Sequence, residues 1–316
     1  MQTTTQKTLP LRLGITPWHM SSTMDANALC TQAELAEQCG YHSFWLPESH
    51  FAGPNSVPEP IVLLAAVAAR TTTIKLGTTS YLLPIRNALQ AAEQVAVLDQ
   101  LSGGRLILGL GRGFEKNMLS AFDVNPTEKR ELLNRNLDVM KAAWAGGIVG
   151  SQAIGAVMSP LPVQKPHPPI WMAAFGPKAL AQAGKMGTPY LASPMESLQQ
   201  LKENYEIYNT ALDQNSQPRP SEIVLMRTIF ISDDKALCKQ VTRDLAQLAS
   251  TLKFGNTVME AAWIVGNADD VASEIHEYQE QLGMNYLIVA RPRIKGLSRQ
   301  CAEQSMRALA AMVANV

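Results

Sequence analysis

Residues 104–114, "GRLILGLGRGF", pack four glycines and two arginines around a short apolar run. A dinucleotide fingerprint needs G-x-G-x-x-G opening a helix, with an acidic residue about 20 positions later on the ribose. Gly109, Gly111 and Gly113 fall at the wrong spacing, and no Lys-Ser or Lys-Thr follows to make a phosphate-cradling P-loop. What remains is a fully apolar strand, "RLILGLG", whose tight exit carries Arg112.

Working outward, the strand is preceded by "NALQAAEQVAVLDQLSGG", a helix stopped at Gly103 and Gly104. Earlier come "LRLGIT" (11–16), a helix from Asp25 to Gly40, "HSFWLP" (42–47), a helix entered through Pro60, and "IKLGTTS" (74–80). Downstream, a helix over 127–145 leads into a Gly/Pro-rich segment, 146–169, too long for an ordinary connection and read as an insertion. "IWMAA" is then strand five, with the helix "PKALAQAGKMG", and "PYLAS" is strand six. "SEIVLMRTIFIS" and "NYLIVA" complete the strands, interleaved with helices over "MESLQQLKENYEIYNTALDQ", "DKALCKQVTRDLAQLAS" (opened by Asp233 or Asp234), "DDVASEIHEYQEQLG" and "CAEQSMRALAAMVANV". Close to eight βα units predict an α/β fold, a (β/α)8 TIM barrel with an insertion between strands 4 and 5, as one domain over 1–316.

Bulk composition narrows the partners. Lys plus Arg and Asp plus Glu are both 27, a formal net charge of zero, so no global field draws the chain to nucleic acid or an anionic membrane. A small-molecule partner is favoured. The first residues lack an apolar h-region and nowhere do 18 apolar residues run on, so a soluble, cytoplasmic protein is expected. Cys30, Cys39, Cys238 and Cys301 show no C-x-x-C pairing, and His19, His42, His50, His167 and His276 never fall at H-x-x-x-H spacing, so no metal site is expected.

In such a barrel chemistry sits at the C-terminal ends of the strands. There the sequence places Pro17, Trp18 and His19; Glu48, Ser49, His50 and Phe51; Thr79, Ser80 and Tyr81; Arg112; Phe175, Gly176, Pro177 and Lys178; and Arg291 and Arg293. "FGPKAL" sets Gly176 before a helix whose first residue is Pro177, so free N–H groups face the strand ends, a geometry worth about 0.3–2 kcal/mol to an anion. Arg112 would add a charge-assisted contact. Taken singly, each of these has a plain structural reading: a salt bridge for Arg112, an ordinary helix start for "FGPK", a loop hydrogen bond for Glu48 and His50. Their convergence carries the functional case.

"YHSFWLPESHF", "IKLGTTSYLLPIRNALQAAEQVAVLDQLSGGRLILGLGRGF" and "PPIWMAAFGPKALAQAGKMG" resemble, in order and spacing, the bacterial luciferase-like flavin-dependent monooxygenases over about residues 11–192, and "IVGNADDVASEIHEYQEQLGMNYLIV" is similar to their C-terminal unit. The resemblance implies a barrel binding FMN, or in a sister branch a deazaflavin. It assigns Arg112 to the flavin phosphate, residues Phe175, Gly176, Pro177 and Lys178 to a phosphate loop, and Thr78, Thr79 and Ser80 to the ring, with a non-proline cis peptide between Thr79 and Ser80. "PESHF" matches the family's Glu-His-His-Phe signature except that Ser49 replaces the first histidine. That departure leaves His50, oriented by Glu48, as the acid–base group, with Ser49 beside it.

The implied activity is a monooxygenase in which reduced FMN, supplied by a separate flavin reductase, reacts with O2 at C4a to give a hydroperoxide that oxidises a small organic substrate. The alternatives are a deazaflavin-dependent oxidoreductase, using Arg291 and Arg293 for a polyanionic tail, and a non-catalytic flavin-binding protein. A homodimer is expected from the family and from the near-continuous apolar helix 61–70. Substrate choice is expected to rest on the 52–58 loop and the 146–169 insertion.

Overall fold

The structure is a computed structural model that describes residues 10–20, 25–53, 56–149, 156–251, 253–254, 257–258 and 262–314; parts of the 52–58 and 146–169 segments therefore lie outside the described residues. The chain is a (β/α)8 TIM barrel. Its barrel strands are β1 (Arg12–Ile15), β2 (Ser43–Leu46), β3 (Lys75–Thr78), β4 (Leu106–Gly111), β5 (Ile170–Ala173), β6 (Tyr190–Leu191), β7 (Val224–Ile231) and β8 (Tyr286–Ala290). The helices are α1 (Ala26–Gln38), α2 (Pro60–Arg70), α3 (Ala88–Leu101), α4 (Lys116–Ala121), α5 (Lys129–Trp144), α6 (Pro177–Lys185), α7 (Leu198–Gln214), α8 (Lys235–Thr251), α9 (Ala268–Leu282) and α10 (Arg299–Ala314).

By its internal contacts the chain divides into two compact units, residues 20–37 with 43–173, and residues 1–19 with 38–42 and 174–316. In the first unit β2, β3, β4 and β5 run parallel, with Leu46 opposite Thr78, Leu76 opposite Leu106 and Leu108 opposite Ile170. All residues of β2 and β4 are buried, which explains their unbroken apolar sequence: a strand covered on both faces has no polar alternation to show. Asp25 opens α1 by accepting the Asn27 and Ala28 amides, and the Asn87 side chain caps α3.

At the N-terminal end of this unit one turn, residues 71–74, is held from both sides. The Glu37 carboxylate accepts the amides of Thr72, Thr73 and Ile74 and the Thr73 hydroxyl, while the buried Arg105 guanidinium donates to the carbonyls of Thr71 and Ile74. Burial alone would raise the Glu37 pKa; those donors outweigh it and lower the pKa to about 2.

In the other unit β7 pairs with β8 and β8 with β1, and Leu191 of β6 lies opposite Val224. Asp234, and not Asp233, caps α8 by accepting the Ala236 and Leu237 amides. A short strand that the sequence reading passes over, Trp263–Gly266, adds in parallel to the second half of β7. The insertion between β4 and β5 contains a two-residue antiparallel pair, Ile148–Val149 with Ala156–Val157, followed by cis bonds before Pro160 and Pro166. Lying among the turn residues of a Gly/Pro-rich segment, so short a pair gives no sequence pattern of its own.

Candidate functional site

In the first unit, the exit of β2 carries a buried polar knot. Glu48 Oε1 lies 2.7 Å from His50 Nε2 and accepts from Arg86 Nη2 at 2.8 Å, while Oε2 accepts the Leu82 amide at 2.9 Å. The Glu48 side chain is fully buried and that of His50 nearly so. The Leu82 amide and Arg86 are both donors, so the Glu48 carboxylate serves as an acceptor, with His50 Nε2 as its third polar neighbour. The ring is flanked by Phe122 edge-on at 4.9 Å and by Phe51, which stacks on Phe122 and is 72% exposed.

Ser49 points elsewhere. Its hydroxyl and its backbone both bond to Val57, closing the base of the 52–58 loop. The family's histidine position is thus used here to hold a loop.

The peptide bond between Thr79 and Ser80 is cis. Of the three residues assigned to the ring, Thr78 spends its hydroxyl within the sheet, donating to the Gly109 carbonyl at 2.8 Å. Thr79 Oγ1 is buried with no hydrogen-bond partner among the described residues. Ser80 lies directly over Gly111, where an added Cβ would collide with the serine side chain. Gly111 is therefore demanded by the close approach of the β3 exit, and Gly113 by a φ of +71°.

Arg112 is half-buried and makes no hydrogen bond or ion pair among the described residues. Burial first, and then the charge of Arg130, push its pKa below the ordinary arginine value. Lys129, anchored on the Gly113 carbonyl at 2.8 Å, is pushed down by burial and by the charges of Arg112, Arg130 and Lys116. Arg112, Lys129, Arg130 and Lys116 thus lie within electrostatic reach of one another, and like charges so placed favour a neighbouring negative group. The sequence reading found Arg112 alone, because Lys129 and Arg130 reach it from α5 and its N-terminal edge across 17 and 18 positions with no local pattern.

In the other unit, Gly176 adopts φ +81° and caps α6 without a side-chain bond, with Pro177 at the first helical position and Lys178 exposed. The expected helix start is thus in place, although Pro177 has no N–H and the Ala179 and Leu180 amides already donate to the Gly176 carbonyl. Arg291 is half-buried and Arg293 exposed beyond β8. Glu196, which the sequence reading did not single out, lies behind β6, where it accepts from Tyr190, Asn204 and the Ser193 amide. Burial outweighs those bonds and raises its pKa to about 7. Among the described residues no group of His, Cys, Asp and Glu could hold a metal ion, and no helix is long and apolar enough to cross a membrane.

A sequence profile of the family described as luciferase-like monooxygenase matches residues 11–305. The oxygenase component of a flavin-dependent trigonelline monooxygenase from Acinetobacter baylyi is 27% identical over 214 residues, 64% of this chain and 58% of that protein. For the first curated relatives the match spans 51–64% of their own length. Two solved structures share the fold: the oxygenating constituent of 3,6-diketocamphane monooxygenase from Pseudomonas putida, in complex with FMN, has a TM-score of 0.80 at 18% identity, covering 97% of this chain and 99% of that one. The coenzyme F420-dependent tetrahydromethanopterin reductase of Methanopyrus kandleri has a TM-score of 0.70 at 18% identity, with the same coverage.

Proposed function

Because the chain belongs to the luciferase-like monooxygenase family, we propose that it is the oxygenase of a two-component system, taking reduced FMN from a separate flavin reductase and using O2 to oxidise a small organic substrate. The observation that carries this reading is the group of cations at the exit of β4: Arg112, without an acceptor among the described residues, within electrostatic reach of Arg130 and Lys129. A phosphate monoester dianion matches that need, and the orphaned Thr79 hydroxyl beside the cis peptide gives the flavin ring a polar partner. When bound, reduced flavin supplies the electrons and the carbon at which dioxygen is activated.

The chain's own residues do the rest. Arg112 with Lys129 and Arg130 hold the phosphate. Ser80, seated on Gly111, and Thr79 present the ring-facing surface. His50, its Nε2 proton fixed on Glu48, gives and receives a proton at Nδ1, and Phe51 with Phe122 form an apolar shelf for the substrate.

A deazaflavin-dependent oxidoreductase is the second reading, favoured by Lys116, whose charge extends the cluster beyond what one phosphate requires. Anaerobic fluorescence titrations with reduced FMN and with reduced deazaflavin separate the two. Tight saturation by reduced FMN, followed by substrate oxygenation on admitting O2, is the expected outcome. Preferential binding of the deazaflavin, with an organic acceptor reduced in the absence of O2, would overturn it.

A further inference from the structure

Arg86 belongs to none of the roles above, yet its surroundings are unusual for an arginine 89% removed from solvent by its neighbours, its side chain being only 11% exposed. Its Nη2 donates to Glu48 at 2.8 Å, on the same oxygen that faces His50, and its Nη1 reaches Glu59 at 3.3 Å. The guanidinium lies 4.1 Å above the Tyr81 ring, whose hydroxyl donates to Gln94. The backbone is pinned too: Asn136 of α5 donates to the carbonyls of Leu83 and Arg86, and Asn87 next to it caps α3. Such a side chain has few conformations left to lose, so its charge is delivered to one place.

Charge balance shows what that place needs. Gln94 and Asn136 from α3 and α5 are neutral, so among the described contacts the titratable groups around the knot are Glu48, Glu59, Tyr81, Arg86 and His50. With Arg86 present and the imidazole neutral, the Glu48 carboxylate already has a cation. Without Arg86, the imidazole would be the only cation left to a fully buried carboxylate, and it would be held as imidazolium, unable to accept a proton.

We propose that Arg86 is the positioning residue that neutralises Glu48, so that His50 rests as a neutral imidazole with its proton on Nε2 and an open Nδ1. The role rests on the acid–base reading of His50 but is measurable without flavin. It also gives Glu59 a function: by sharing Arg86, this half-exposed carboxylate moderates how fully Glu48 is neutralised.

Side-chain ¹⁵N NMR of the flavin-free protein at one fixed neutral pH tests the assignment on Arg86→Met, Arg86→Lys and Glu59→Gln. The wild type is expected to show the Nε2–H tautomer, Arg86→Met the doubly protonated ring, and Arg86→Lys the wild-type state, since charge and not the fork is what His50 senses. In turnover, the pH–rate profile of Arg86→Met should move upward by at least about one unit, and that of Glu59→Gln downward by less. An Arg86→Met protein that melts lower but keeps the wild-type tautomer and profile would overturn the proposal, leaving Arg86 a structural residue. Should Arg86→Met fail to fold, Glu59→Gln decides, because its partly exposed side chain can be changed without emptying the core; an unmoved imidazole and profile there overturn the proposal as well. Turnover of His50→Gln at the wild-type rate would instead defeat the acid–base reading, while the NMR result would still decide the charge-balancing role.

Discussion

Two arginines flank β4, seven residues apart, and the protein uses them in opposite ways. At the N-terminal end all five guanidinium donors of Arg105 are bonded, to Ser102 O, Thr71 Oγ1 and O, Ile74 O and Ala68 O. At the C-terminal end Arg112 has none among the described residues. Burial depresses both pKa values, but Glu37 opposes the shift at Arg105, whereas Arg130 adds to it at Arg112. An arginine whose donors are all met by its own chain holds the fold together. One kept among other cations, with no acceptor among the described residues, is the one the proposed reading gives to the flavin phosphate. The contrast follows the division of labour in a (β/α)8 barrel, with stability at the N-terminal ends of the strands and chemistry at the C-terminal ends.

The comparison breaks if the two ends fail to separate stability from binding. Arg105→Met should have the largest effect, about 3 kcal/mol or more of folding stability, because it strands several buried carbonyls at once. Urea unfolding measures it, and affinity for reduced FMN in the folded fraction should stay at the parent value. Arg112→Ala should do the converse, weakening reduced FMN by about 1.5–3 kcal/mol, roughly ten- to hundred-fold or somewhat more. Its melting temperature without flavin should match the parent, and equal titration curves would reject the phosphate assignment.

The smallest effect sharpens the N-terminal end by pH. Glu37 has a folded pKa of about 2, below its unfolded value near 4.5, so its stabilisation is fully present above about pH 4.5 and is lost as pH falls toward 2. Glu37→Gln should lower stability by about 1–2 kcal/mol at neutral pH and flatten this acid slope, read as urea midpoints against pH. A slope equal to the parent's would mean that other carboxylates govern acid unfolding.

Much of the fold was legible because it is written in short-range pattern. Apolar runs of β-strand length, Pro60 and Pro177 at helix starts, Asp25 at α1 and the stops at Gly40 and Gly103 all lie within a few residues of what they signal. The two-residue strands at 148–149 and 156–157 were hidden among the turn residues of the Gly/Pro-rich insertion, and Trp263–Gly266, as long as β1 or β2, was passed over. Glu48, His50 and Arg112 could be picked out by type and place at strand ends. What their neighbours would do could not. Thr78 turned into the sheet and Ser49 onto the loop because nearby backbone groups, Gly109 O and Val57 N, took their hydroxyls.

By itself, then, the sequence determined the alternation of strands and helices, the family, and which residues stand at the strand ends, because each depends on neighbours along the chain. Only the tertiary structure decided that Arg105 is saturated and Arg112 open, that Arg86 shares Glu48 with His50, and that Lys129 and Arg130 gather at the β4 exit. Those outcomes depend on groups up to 38 positions apart competing for the same few donors and acceptors, a competition that exists only once the chain has folded.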